Sequence, residues 1–155
     1  MVTDLFGALL SELGKVLKIA NLHPDRNNSC LVQMVNGQQF QLELDRTSEF
    51  VIVGTQLGAV TPGKYRESLF KEALKANDQP YPLHGILAYS TKTENLFLFM
   101  KIHVKDLTGD KIAEEITPFL EKASVWSDAI TRSDIPAVGS SQTSKGPAGM
   151  FGLRP

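Results

Sequence analysis

The sequence predicts an α+β fold with the element order α-βββ-α-ββ-α, in which helices pack on a twisted antiparallel sheet. Three observations predict it. An amphipathic helical pattern opens the chain, and Asn36-Gly37 joins two strand-like runs. A second pair of strand-like runs surrounds "TKTEN" and leads into a long helical pattern. The predicted domain covers residues 1–132, and residues 133–155 are predicted to be a flexible C-terminal tail.

The composition is that of an ordinary globular domain. The chain has 155 residues, 42% hydrophobic and 21% charged, with a formal net charge of -1. Neither sign of charge forms a run, so nothing favours binding to nucleic acid or anionic lipid. The N-terminus has neither the basic leader of a signal peptide nor the length of apolar residues of a membrane span. A single cysteine, Cys30, excludes an internal disulfide and suits a reducing cytosol.

The first helix is predicted to begin with Thr3 or Asp4 as its N-cap. Its apolar residues cover an arc of roughly 140°, which is wider than a minimal core-facing stripe, so the edges of the stripe are expected to be unburied. These apolar residues are Leu5, Phe6, Leu9, Leu10, Leu13, Val16 and Leu17. The segment 21–29 that follows is predicted to be a loop.

Three strands follow the loop. Asn36-Gly37 predicts a type I′ turn between the first two, because that turn needs positive φ angles at both central residues. In the second strand Phe40, Leu42 and Leu44 alternate with polar residues, which indicates one dry face and one wet face. Gly54, inside the third strand "EFVIVGTQLG", predicts a bulge or a close backbone approach.

The second helix is predicted in "TPGKYRESLFKEALKAND", with Thr61 as N-cap and Pro62 in the first turn. The strands "HGILAYS" and "NLFLFMKIHV" follow. The second of these strands has a continuous run of apolar residues, which predicts an internal position in the sheet with cover on both faces. The third helix is predicted to run from Thr108 to Ile130, with a kink or break that Pro118 causes near residues 116–117.

No catalytic, metal or cofactor motif is found. His23, His84 and His103 lie in separate elements, and none has a second ligand at metal-binding spacing. A thiol site that combines Cys30 with His84 is an open alternative, although a cysteine at the head of an apolar strand is more often a small buried hydrophobe. No cofactor is therefore expected.

The wide first helix, the apolar fifth strand and "GMFGL" in the tail present more apolar surface than one core requires. The open alternatives are that the helix edges pack under the tail and that the strand is simply central in the sheet. If neither holds, this surface predicts partner proteins.

Two segments carry a family resemblance. One is "EFVIVGTQLG" with the Pro-initiated helix after it, and the other is "YPLHGILAYSTKTENLFLFMKIHV" followed by "DLTGDKIAEEITPFLEKASVWSDAI". With the element order, they resemble the class I chaperones of type III secretion, the Tir-chaperone (CesT) family, over about residues 5–130. The resemblance implies a secretion-chaperone-like fold in a homodimer without enzymatic activity, located in the bacterial cytoplasm.

The resemblance also implies partners and sites. Family members bind an N-terminal segment of a secreted effector in extended form. The implied effector-binding residues are Phe6, Leu10, Leu13, Leu31 and Gln33. The implied dimer interface consists of Tyr65, Leu69, Ala73, Leu87 and Tyr89. Two alternatives remain open at this point: a non-enzymatic adaptor that binds folded partners, and a small thiol-dependent enzyme that uses Cys30.

Overall fold

The computed structural model describes residues 4–138, which form three helices and a five-stranded sheet. The helices are α1 (Asp4–Leu17), α2 (Lys64–Asn77) and α3 (Gly109–Arg132). The strands are β1 (Ser29–Gln33), β2 (Gln39–Leu44), β3 (Phe50–Ala59), β4 (Ile86–Ser90) and β5 (Asn95–His103). The predicted element order and fold class are confirmed. The predicted cap residue Thr3 lies outside the described residues.

All neighbouring strands pair antiparallel, in the spatial order β1-β2-β3-β5-β4. β5 therefore lies between β3 and β4, which agrees with the internal position predicted for it. β1 and β4 are the two edges of the sheet.

One face of the sheet carries the core, and all three helices contribute to the same apolar cluster. Alternate residues of the strands, such as Val32, Leu42, Val53 and Leu98, are fully buried on this face. On the opposite face of β5 the cover is incomplete, because Phe97 is half-buried and Phe99 is 37% exposed.

α1 and α3 meet at Gly109, the first residue of α3. The main-chain N–H of Gly109 donates a hydrogen bond of 2.8 Å to the Glu12 carboxylate of α1. A Cβ atom at position 109 would lie 2.7 Å from the main chain of Leu13, so only glycine permits this approach of the two helices. Thr108 caps α3 by accepting a hydrogen bond from the main-chain N–H of Lys111.

Two details of the strands differ from prediction. The β1–β2 turn is not of type I′, since Gly37 has a φ of +95° but Asn36 does not have a positive φ. The turn is instead closed by hydrogen bonds from Gly37 to Met34 and from Met34 to Gln38, which leaves more than two residues between the strands. In β3 the irregularity lies between Gln56 and Gly58, whereas Gly54 pairs regularly with Phe99.

The prediction for the start of α2 is wrong. The N-cap is Gly63 rather than Thr61, and the helix begins at Lys64. Gly63 has a φ of +146°, a conformation that ends the extended segment after Pro62, and its carbonyl accepts the Glu67 N–H. Thr61 is therefore too far from the helix to cap it.

α3 is continuous through Pro118, so the predicted break does not occur. A proline removes the hydrogen bond to the carbonyl four residues earlier, here that of Glu114. Glu114 is exposed, so its carbonyl lies on the outer side of the helix, where the bond is lost at small cost.

The beginning of the predicted tail packs on α2. The Tyr65 hydroxyl donates a hydrogen bond of 2.8 Å to the carbonyl of Asp134. The Val138 N–H donates to the Glu72 carboxylate at 3.3 Å, and the Val138 side chain is partly buried against the core. Residues 133–138 thus follow α2, and the rest of the predicted tail, residues 139–155 with "GMFGL", lies outside the described residues.

Candidate peptide-binding surface

The edge strand β1 has main-chain groups without hydrogen-bond partners among the described residues. Two bonds fix which residues face β2: the Met34 N–H donates to Gln38, and the Leu44 N–H donates to the carbonyl of Asn28. Because the direction of these groups alternates along an antiparallel strand, the main chains of residues 29, 31 and 33 face the free side.

At the start of β1 the free side is already occupied. The Asp25 carboxylate accepts the Ser29 N–H at 3.0 Å, and the Asp25 N–H donates to the Ser29 carbonyl at 2.8 Å. Further along, the Leu31 carbonyl receives only the Cys30 thiol, at 3.9 Å. Among residues 4–138, no group bonds to the Leu31 N–H or to the main chain of Gln33 on this side. This open stretch, Leu31 to Gln33, is the β1 edge.

The side chains beside the β1 edge form a partly apolar surface. Leu31 is 62% exposed and pairs across the sheet with Gln41, which pairs in turn with Gly54. Gly54 has no side chain, so the sheet surface has a depression between Gln41 and Phe99. A groove of about 690 Å³ opens here, and its lining includes Leu31, Gln41 and Gly54 of the sheet together with Leu120, Ser124 and Ser127 of α3.

The residues of the predicted effector-binding set differ in burial. Leu31 and Gln33 lie at the open edge, but Phe6, Leu10 and Leu13 are buried in the core, with at most 1% of their surface exposed. These three residues form the centre of the α1 stripe, which is covered by α3 and the sheet. Only the edges of the stripe are free, as predicted, with Leu5 46% and Val16 41% exposed.

The predicted dimer residues are also partly internal. Leu69, Ala73 and Leu87 are buried within a single chain. Tyr65 and Tyr89 are half-buried, and each has a partner in the same chain: Tyr65 binds the Ala129 and Asp134 carbonyls, and Tyr89 receives a hydrogen bond from Arg66. The exposed apolar side chain of α2 is Leu74, at 69%. Apolar spacing predicts Leu74 as a flanking member of the buried stripe of α2, and this expectation is wrong because the side chain is exposed.

Burial shifts the pKa values of Cys30 and Lys122 in the described part of the chain. Burial raises the pKa of the Cys30 thiol, which is opposite to the shift that activates a nucleophile. Burial lowers the pKa of Lys122, whose ammonium donates to the carbonyls of Leu83 and Gly85, both at 2.8 Å. Within residues 4–138 there is no group of three or more histidine, cysteine or acidic residues that could hold a metal ion.

An edge strand with free main-chain groups beside a partly apolar groove is the kind of surface to which an extended peptide adds as a further strand. The fold and this surface therefore define a polypeptide-binding protein. The chain belongs to the Tir chaperone protein (CesT) family, whose match covers residues 8–127. The recognition made from the sequence is thus confirmed at the level of the family.

Solved structures of the same fold support this assignment. The chain resembles one in the structure of the HopA1-SchA chaperone-effector complex, with a TM-score of 0.67 and 19% identity over 83% of this chain and 98% of that one. It also resembles one in the complex of the Yersinia pestis type III secretion chaperone SycH with a fragment of YscM2, with a TM-score of 0.63 and 15% identity over 78% and 98% of the chains.

A third similar chain belongs to the ExoT-SpcS complex from Pseudomonas aeruginosa, with a TM-score of 0.59 and 16% identity over 77% of this chain and 95% of that one. At these identities the likeness is one of fold. No curated protein matches the sequence. None of the helices in the described part of the chain has the length and apolar character needed to span a membrane.

Proposed function

We propose that this protein is a type III secretion chaperone that binds an N-terminal segment of one or more secreted effectors in extended form, which keeps them soluble and competent for secretion. The β1 edge is the observation that carries the proposal. Leu31 and Gln33 together offer two N–H donors and two carbonyl acceptors to an added strand. The resemblance in fold to chains from a chaperone-effector complex and from a complex of a type III secretion chaperone supports the same function.

The bound segment would gain affinity from both its main chain and its side chains. Each added hydrogen bond contributes about 0.5–1.5 kcal/mol net. Alternate side chains of the segment would cover Leu31 and enter the groove beside Gly54, which buries apolar surface that is exposed in the free chain. None of these contacts requires a catalytic residue, and the protein is proposed to act without enzymatic activity or cofactor in the bacterial cytoplasm.

The proposed active form is a homodimer in which side chains of α2 and β4 contact their copies, without hydrogen bonds between the two β4 strands. Leu74 on α2 is exposed and apolar, and Tyr65 and Tyr89 are only half-buried. Leu69, Ala73 and Leu87 would support this interface from within the core rather than contact the second copy.

The replacement of Gln33 by proline tests the binding edge. The Gln33 N–H faces the free side, so Gln33→Pro removes a donor from the edge without breaking a bond to β2. Gln33→Ala is the matched control, because it truncates the same side chain and keeps the N–H. The protein would be purified from the bacterium that encodes it, and the segment protected from proteolysis would be identified by mass spectrometry and synthesised.

Wild type and Gln33→Ala should bind this peptide with similar affinity, and Gln33→Pro should bind at least about tenfold more weakly. A protected segment of about 50–100 residues without internal structure is expected for an effector chaperone. Equal binding by both variants would move the site away from the β1 edge. Capture of partners that keep their own fold would instead favour the adaptor function.

A further inference from the structure

The second edge of the sheet, β4, differs from the first because a side chain already occupies it. The Leu87 N–H donates a hydrogen bond of 2.9 Å to the Asn77 side-chain oxygen, and the Asn77 amide nitrogen donates one of 3.0 Å to the Leu87 carbonyl. Asn77 is the last residue of α2, and Leu87 is the second residue of β4. One primary amide thus satisfies both main-chain groups of one strand residue.

These two bonds have the pattern that an added strand would make. In an antiparallel pair, both main-chain groups of alternate residues point to the same neighbour. Because Leu87 gives both groups to Asn77, its main chain faces the free side, and Ile86 and Ala88 face β5. The asparagine therefore occupies the position at which a further strand would first bond.

A second side chain extends the closure toward the start of the strand. The Lys122 ammonium binds the carbonyl of Gly85, directly before β4, and that of Leu83. Residues 85 and 87 are consecutive positions on the free side of β4, and both have partners within the chain. At β1, by comparison, residues 4–138 close only Ser29 in this way, through Asp25.

We infer that Asn77 closes the β4 edge to strand addition, so that β4 does not pair with the edge strand of another copy or with an extended client. The part of this inference that concerns the client rests on the proposed function. The closure of β4 itself does not, and it can be tested on the protein alone. Exposed strand edges pair readily with other chains, so opening β4 should create a new association.

The first test is the exchange rate of the Leu87 amide hydrogen in the wild-type protein. Its hydrogen bond to Asn77 should slow exchange by about fivefold or more relative to Asn77→Ala, in which Ile86 and Ala88 keep their bonds to β5. Gln79→Ala is the matched control, because this amide lies on the same helix end and binds the Lys75 carbonyl instead of β4. If the wild-type Leu87 amide exchanges as fast as an unbonded one, the inference is wrong.

The second test is the state of association, measured by sedimentation velocity over a range of protein concentrations. Asn77→Ala should form assemblies of about twice the wild-type mass or more, because two opened β4 edges can pair symmetrically. Gln79→Ala should match wild type. The addition of Ala88→Lys to Asn77→Ala should restore the wild-type mass, since a lysine on an edge strand opposes pairing.

Two association results would overturn the inference. One is a folded Asn77→Ala variant with the wild-type mass at all concentrations. The other is new association of the Asn77→Ala variant that is removed when Gln33→Pro is added at the β1 edge and is not removed when Ala88→Lys is added. If Asn77→Ala does not fold, Asn77→Asp replaces it. The carboxylate still accepts the Leu87 N–H but cannot donate to the Leu87 carbonyl. Exchange at the Leu87 amide should then stay slow, and weak association is expected because the carbonyl is free. Binding of the client peptide is measured separately, so failure of the proposed function would not be mistaken for failure of this inference.

Discussion

Two glycines of the helix layer should respond in opposite directions to replacement by alanine. At Gly109 a Cβ atom would lie 2.5 Å from the Glu12 Cβ and 2.7 Å from main-chain atoms of Glu12 and Leu13. At Gly7, within α1, the nearest atom to a Cβ is the Pro24 Cδ at 3.8 Å, an ordinary contact. The two substitutions add the same methyl group to the same pair of helices, so each is the control for the other.

The expected magnitudes follow from these contacts. The main chain of α1 cannot rotate away from a methyl group at position 109, so the helices must separate, and overpacking of this kind costs about 1–3 kcal/mol. Separation also weakens the charged hydrogen bond between Glu12 and Gly109, which adds a further 1 kcal/mol or so. Gly109→Ala should therefore destabilise the fold by about 3 kcal/mol. Gly7→Ala should stabilise it by up to about 1 kcal/mol through helix propensity.

The assay is urea unfolding followed by the fluorescence of Trp126, which is buried in α3. All variants should be compared at one protein concentration, because association contributes to apparent stability. A Gly109→Ala variant within about 0.5 kcal/mol of wild type would refute the close approach of α1 and α3.

Three further predictions concern single side chains. Because burial lowers the pKa of Lys122, the folded chain binds the Lys122 ammonium proton less tightly than the unfolded chain, so the stability of wild type relative to Lys122→Met should rise with pH in the alkaline range below the ordinary lysine pKa. Urea unfolding midpoints of both proteins at several pH values measure this, and a stability difference that falls as the pH rises would contradict it. The Cys30 thiol should react with an alkylating reagent more slowly than in the urea-unfolded chain, and equal rates would revive the thiol-enzyme alternative. Tyr65→Phe should lower the free energy of unfolding by about 1 kcal/mol and increase proteolysis near Asp134, which mass spectrometry can follow. An unchanged cleavage pattern would show that the hydroxyl does not anchor residues 133–138.

Local patterns in the sequence predicted the elements better than their ends. The stripe of α1 follows from apolar spacing, and the alternation in β2 correctly assigned Phe40 and Leu42 to the buried face. The start of α2 was missed because Thr61 and Pro62 are a good initiation signal on their own, and the φ of Gly63 depends on how the chain leaves β3.

The candidate site was only partly predictable. Leu31 and Gln33 were placed in the binding set through the family resemblance, and the structure brings them to the open edge. Phe6, Leu10 and Leu13 were placed in the binding set as well, because an apolar stripe of seven residues does not show which of them a later helix covers. Their burial depends on α3, which begins almost a hundred residues further along the chain.

The sequence by itself determined the class of fold, the order of its elements and the family, because apolar period and turn chemistry act between near neighbours. The tertiary structure alone decided which strand edges are open. The order β3-β5-β4 makes β4 an edge, and the contacts of Asn77 and Lys122 with β4, and of Asp25 with β1, depend on segments that meet only after folding. The hydrogen-bond partners of a strand edge come from segments that are distant in sequence and close only in the folded chain, so no local sequence pattern encodes them.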